Sequence, residues 1–175
     1  MVVLLLSPLL LLFVLPLLVE GQNLILNPSM ETQSPSDPNL PQYWTSNKWG
    51  TNTVTFQYLT NDGRVSTRSC KVTVSAYTDG DAKYYPDFVN VSPSTSYTFT
   101  SWYKSSVSTT LTVVLMTANG TITYMSLKAN IPASPDTWSQ LSVPLFSSDA
   151  TRVSIYHVIS SIGYLQTDGF SLTPS

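Results

Sequence analysis

Val91-Ser92-Pro93-Ser94-Thr95-Ser96-Tyr97-Thr98-Phe99-Thr100-Ser101-Trp102-Tyr103-Lys104 reads as a proline-fixed loop running into a β-strand. Pro93 restrains the backbone of the loop, and from Ser96 onward aromatic and hydroxyl residues alternate, the pattern of a strand with one covered and one open face. Successive side chains of a strand point to opposite faces, so Phe99 and Tyr103 share one face and Trp102 shares the other with Lys104.

The same period of two recurs on both sides of this run: Thr53 to Leu59, Ser69 to Tyr77, Lys83 to Val91, Thr109 to Thr117, Thr121 to Leu127, Trp138 to Pro144, Arg152 to Ile159 and Tyr164 to Leu172. Short strands separated by turn signals predict an all-β fold, a two-sheet antiparallel β-sandwich. Asn61-Asp62-Gly63 and Asn119-Gly120 supply residues tolerant of positive φ, and Ala133-Ser134-Pro135-Asp136 fixes a loop. Ala118-Asn119-Gly120-Thr121 between two alternating runs is the clearest hairpin. Residues 33–42, with three prolines, read as a loop crossing an end of the sandwich, and residues 44–49 as a further loop carrying aromatics. No stretch beyond the first residues supports a long amphipathic helix.

Met1 to Val19 is apolar and leucine-rich and gives way at Glu20-Gly21-Gln22 to polar, turn-rich sequence. That is the form of a secretory signal peptide, with Val19 and Gly21 small enough for the two positions that precede a cut. Residues 1–21 are therefore expected to be a leader and residues 22–175 a single domain, secreted and monomeric. The run lacks an early basic residue and is long enough to serve instead as an uncleaved anchor, whereas Pro8 and Pro16 favour the leader. The whole chain carries 8 Lys and Arg against 10 Asp and Glu, and loss of Glu20 with the leader leaves 9 acidic groups and a net charge of −1. No field of either sign draws it to nucleic acid or anionic lipid. Cys70 is the one cysteine, in the alternating run Ser69-Cys70-Lys71-Val72, and reads as a small buried hydrophobe.

Asn23-Leu24-Ile25-Leu26-Asn27-Pro28-Ser29-Met30-Glu31, followed by Pro41-Gln42-Tyr43-Trp44, resembles the opening of the galactose-binding-like jelly rolls that serve as carbohydrate-binding modules of the family 4, 9 and 22 type. Residues 91–104 are similar to the central strand of that family, and Thr167-Asp168-Gly169-Phe170-Ser171-Leu172 to its closing strand. The resemblance spans residues 22–175 and implies the jelly-roll form of the sandwich, with Tyr97 and Phe99 inward, Trp102 the more exposed, and Trp44 and Trp138 buried as core plugs. It implies a polysaccharide or glycan partner outside the cell. It further implies a structural calcium ion held by Glu31 and Asp168 with carbonyls from residues 64–69. Hard oxygen ligands suit calcium. The competing reading is that both carboxylates cap turns or pair with Arg64 or Arg68.

A sugar ring presents C–H groups that stack on an aromatic face, while amides, carboxylates and hydroxyls read its hydroxyls. The residues of that kind are Trp49, Asp79, Asp81, Tyr84, Tyr85, Trp102, Tyr156 and His157, the last two on a strand that the family places beside Trp102 or Tyr103. Asp79-Gly80-Asp81 is poor evidence for a catalytic dyad, which needs two carboxylates several ångströms apart across a bond, and a turn or a salt bridge to Lys83 explains it better. The serines lack a nucleophile-elbow pattern, and one histidine does not build a redox metal cluster. A non-catalytic carbohydrate-binding domain is the leading reading. A structural or adhesive protein and a small polysaccharide lyase or hydrolase are the alternatives. Asn90-Val91-Ser92 and Asn119-Gly120-Thr121 match the N-glycosylation pattern, Asn119 on an exposed hairpin tip.

Overall fold

Alternation in residues 96–105 becomes a strand whose even positions face out and odd positions face in: Tyr97, Phe99, Ser101, Tyr103 and Ser105 are buried and the residues between them are partly open. The computed structural model describes residues 21–175, so the leader expectation falls outside the described residues. The strands, in chain order, are β1 (Trp44–Trp49), β2 (Asn52–Leu59), β3 (Ser69–Tyr77), β4 (Asp81–Pro86), β5 (Val89–Asn90), β6 (Ser96–Ser105), β7 (Thr109–Thr117), β8 (Ile122–Ile131), β9 (Ser134–Phe146), β10 (Ala150–Val158) and β11 (Gly163–Pro174).

One sheet has the order β2-β3-β11-β6-β9, the other β5-β10-β7-β8, all neighbours antiparallel. A ribbon of β1 and β4 extends the second sheet: Ala82 and Ile159 exchange two backbone hydrogen bonds (2.9 and 3.1 Å), and the Ser154 hydroxyl donates to the Pro86 carbonyl at 2.6 Å. The inward faces form one core around Phe99, Phe170, Met30, Leu111, Ile155, Leu165 and Leu172, none more than 1% exposed. Trp44 is a core plug as expected, 4% exposed, its ring 4.9 Å from Phe170 and edge-on to it, its indole N–H donating to the carbonyls of Leu26 and Asn27. Cys70 is fully buried on β3.

Three readings are corrected. Residues 44–49 are a strand, not a loop, paired along their whole length with β4 from Trp44↔Pro86 to Trp49↔Asp81. The run from Lys83 to Val91 is two strands, because Pro86 has no N–H to continue a ladder and Asp87 turns its N–H to the Tyr43 carbonyl. Trp138 is no core plug: it stands half-buried on the outer side of β9 with the Lys104 ammonium 4.9 Å above its ring. The hairpin between β7 and β8 is as read, with Gly120 at φ 87°. Gly63 is required for a different reason, since a Cβ there would lie 2.6 Å from the Arg68 carbonyl oxygen.

Candidate functional site

The parity of β4 decides which of its side chains can meet a ligand. Asp81, Lys83 and Tyr85 point to the outer face, and Ala82, Tyr84 and Pro86 point to the core. On β1, Asn47 and Trp49 lie opposite Lys83 and Asp81 and share that outer face. On β10, Tyr156 and Val158 do the same, with Thr112 of β7 directly across from Tyr156 and Tyr124 of β8 one pair further on, opposite Val114. Together these nine residues line an open groove of about 390 Å³ across the second sheet and its ribbon.

Three tyrosine rings form the floor in a row. Tyr85 and Tyr156 are 4.4 Å apart at 45°, and Tyr156 and Tyr124 are 6.5 Å apart at 62°. Burial, then the neighbouring Tyr85 and Tyr124 hydroxyls, push the Tyr156 phenol up to about 12, so it stays a neutral hydrogen-bond donor near pH 7. Trp49, 61% exposed, and Tyr124, 66% exposed, stand at the two edges. Asp81 ties one wall together: its Oδ2 accepts the Trp49 indole N–H at 2.7 Å and its Oδ1 accepts the Lys83 ammonium at 2.5 Å. That ammonium also lies 5.7 Å from the Tyr156 ring centre. The groove thus offers aromatic faces of fixed orientation flanked by an amide, hydroxyls and one ion pair. Asp81 is the one carboxylate among its lining residues.

Of the residues expected from sequence, Trp49, Asp81, Tyr85 and Tyr156 come together in the groove. Tyr84 does not: it is 3% exposed, edge-on to Phe56 at 5.4 Å in the core, and burial raises its pKa. His157 is buried too, beneath the groove floor, with Nε2 2.8 Å from the Thr109 hydroxyl and its ring 5.3 Å from Tyr103. Burial lowers its pKa to about 3. Asp79 closes the turn before β4, accepting the Thr51 backbone N–H. Trp102 lies on the outer side of the opposite sheet, half-buried under the Arg64 guanidinium at 4.1 Å. Asn47, Thr112, Tyr124 and Val158 were missed, and Lys83 entered as a partner for the nearby acids and, with Tyr84 and His157, as a residue of the lyase or hydrolase alternative. The hairpin at Asn119-Gly120, which sets the register of β8 against β7, was the available signal for Tyr124.

Glu31 and Asp168 converge on one loop, as expected, but through the opposite polarity. Glu31 accepts the N–H groups of Thr67 and Arg68 (3.0 and 2.7 Å) and the Thr67 hydroxyl, and these bonds hold its carboxyl below the usual range although burial opposes them. Asp168 accepts the N–H groups of Arg64, Val65 and Gly169 (2.6, 2.9 and 2.6 Å). Burial outweighs those bonds and raises its pKa, with the Glu31 charge adding to the rise. Both carboxylates thus cap backbone N–H groups of residues 64–68 and latch the two ends of the chain to that loop, the turn-capping arrangement that was set against a calcium site.

No protein-family model matches the sequence, and no curated protein matches it. Solved structures do. A xylan-binding domain, CBM22-1 of Paenibacillus barcinonensis Xyn10C, superposes with a TM-score of 0.61 at 15% identity over 89% of this chain and 96% of that one. TmCBM61, solved with β-1,4-galactotriose, gives 0.55 at 11% identity over 89% and 100%. The enzymatically active domain of bacteriophage CBA120 tailspike protein 4 gives 0.64 at 19% identity, covering 87% of this chain and 21% of that one, so the chain spans about a fifth of that domain's solved length. With the sheet orders described above, these superpositions give the chain the two-sheet β-sandwich fold of the family 22, 4 and 61 carbohydrate-binding modules.

Proposed function

We propose that the protein is a secreted, non-catalytic domain that binds a polysaccharide chain in the groove between Trp49 and Tyr124. The observation that carries this is the row Tyr85, Tyr156, Tyr124 with Trp49 at its end: aromatic rings lining an open groove of about 390 Å³, flanked by hydrogen-bonding groups. Sugar C–H faces stack on such rings, and their hydroxyls meet Asn47, Asp81 and the tyrosine hydroxyls. Glycoside hydrolysis ordinarily uses two carboxyl groups about the scissile bond. A groove lined by Asp81 alone, its two oxygens already engaged by Trp49 and Lys83, favours binding over cleavage. The xylan-binding and galactotriose-bound relatives of the fold support a neutral chain as the partner.

The test is a panel of soluble and insoluble polysaccharides, with Trp49→Ala, Tyr124→Ala and Trp102→Ala as variants. Loss of one stacking ring costs about 0.5–1.5 kcal/mol, roughly 2- to 13-fold in Kd. The first two variants weaken binding by that factor, and Trp102→Ala leaves it unchanged. No binding to any glycan by the folded protein, or equal losses for all three variants, overturns the reading.

A further inference from the structure

A second cleft, of about 260 Å³, shares no lining residue with the groove. Leu24, Leu26, Phe88, Val89 and Asn90 line it, four apolar residues and one asparagine. Leu26 is 48% exposed. Phe88 and Asn90 are two residues apart on extended backbone around β5 and so share a face, while Val89 between them is 6% exposed and pairs inward with Val153. Arg152, directly opposite Asn90 on β10, holds its guanidinium 5.3 Å from the Phe88 ring centre and fixes that ring's wall of the cleft. Asn90 begins the acceptor triplet Asn90-Val91-Ser92 and is itself exposed.

We propose that Asn90 is an N-glycosylation site whose first sugar, an N-acetylglucosamine, seats in this cleft against Phe88 and Leu26. The proposal rests on entry of the chain into a eukaryotic secretory route. There the Asn90 side-chain nitrogen attacks the anomeric carbon of a lipid diphosphate oligosaccharide. The C–N bond forms, the bond from that carbon to the diphosphate oxygen breaks, the lipid diphosphate leaves with the electron pair, and the amide proton passes to the transferase. The sugar has an apolar face matched to Phe88 and covers Leu26, which solvent otherwise reaches. Asn119 differs in kind. It is exposed at the hairpin tip, where its Oδ1 accepts the Thr121 N–H and the Thr117 hydroxyl, and a Cβ on the adjoining Gly120 would meet nothing within 4 Å, so a glycan there stands in solvent.

The full chain, produced in a eukaryotic host, is analysed by glycopeptide mass spectrometry and by thermal melting after enzymatic trimming to a single N-acetylglucosamine. Asn90 carries the sugar, and the trimmed protein melts about 2–4 °C above Asn90→Gln. In a Phe88→Ala background that gain disappears, and Asn119→Gln leaves the melting temperature unchanged. An unmodified Asn90, whether in protein from the medium or in protein that never enters the route, overturns the assignment. A gain that persists without Phe88 overturns the seating.

Discussion

Asp81→Asn keeps the shape of the groove wall and removes the charge that holds it. The Lys83 side chain is 9% exposed and that of Asp81 21%, so the pair is neither free in water nor sealed from it. Breaking a fully buried pair by removing one partner costs about 3–5 kcal/mol, whereas an exposed one is worth about 0–1. With a fifth of the carboxylate in contact with solvent, a cost of about 2 kcal/mol follows, nearly all of it from the stranded Lys83 ammonium. For a domain of this size that lowers the melting temperature by about 4–8 °C. Adding Lys83→Met removes the stranded charge, and the double variant recovers most of the loss. Binding responds separately: the Trp49 N–H exchanges a charged acceptor for a neutral one, a difference of about 1 kcal/mol, or roughly fivefold in Kd for any glycan that stacks on Trp49. Calorimetry of the two single variants and the double provides the stability cycle, and titration with the best glycan of the panel provides the affinity. An Asp81→Asn protein that melts with the wild type, or a double variant worse than the sum of its parts, refutes the claim that the ion pair organises this wall.

Further predictions concern the core and the latch. His157 titrates near pH 3 when folded and near 6.5 when unfolded, so between those values the unfolded chain binds the proton first; its contribution is intact above about pH 6.5 and is lost as the pH falls towards 3. Melting temperatures measured from pH 7 to 4 fall more steeply in the wild type than in His157→Gln, and equal slopes sink this. Glu31→Ala and Asp168→Ala each strand several loop N–H groups, and Asp168→Ala, the more buried, costs about 3 kcal/mol or 6–12 °C. A chelator such as EDTA leaves the wild-type melting temperature in place, and a drop of several degrees instead restores calcium to this loop.

The sequence made the sandwich legible because one covered face per strand imposes period-two alternation, and β3 and β7 begin and end where that pattern does. The site was half legible for the same reason applied incompletely. Tyr84 and Tyr85 are neighbours on one strand, as are Tyr156 and His157, so at most one of each pair can face the groove; the core claims Tyr84 and His157. β1 escaped notice because its two tryptophans have opposite parity, Trp44 plugging the core and Trp49 edging the groove, which blurs the alternation into a run of aromatics and polar residues. Tyr124 was hidden differently. Most of β8 is exposed, so its pattern carries no covered face, and only its register against β7 brings Tyr124 beside Tyr156.

The ribbon of β1 and β4 is hydrogen-bonded to the body of the second sheet through one doubly bonded residue pair and one serine hydroxyl and packs Trp44, Ala82 and Tyr84 into the core, while its outward face carries Asn47, Trp49, Asp81, Lys83 and Tyr85, more than half of the groove lining. Inward and outward faces of the ribbon are therefore separable in design. Substitutions confined to its outward residues can reshape the groove while Trp44, Ala82 and Tyr84 keep their packing in the core, so related chains can differ in the polymer they accept on one and the same interior.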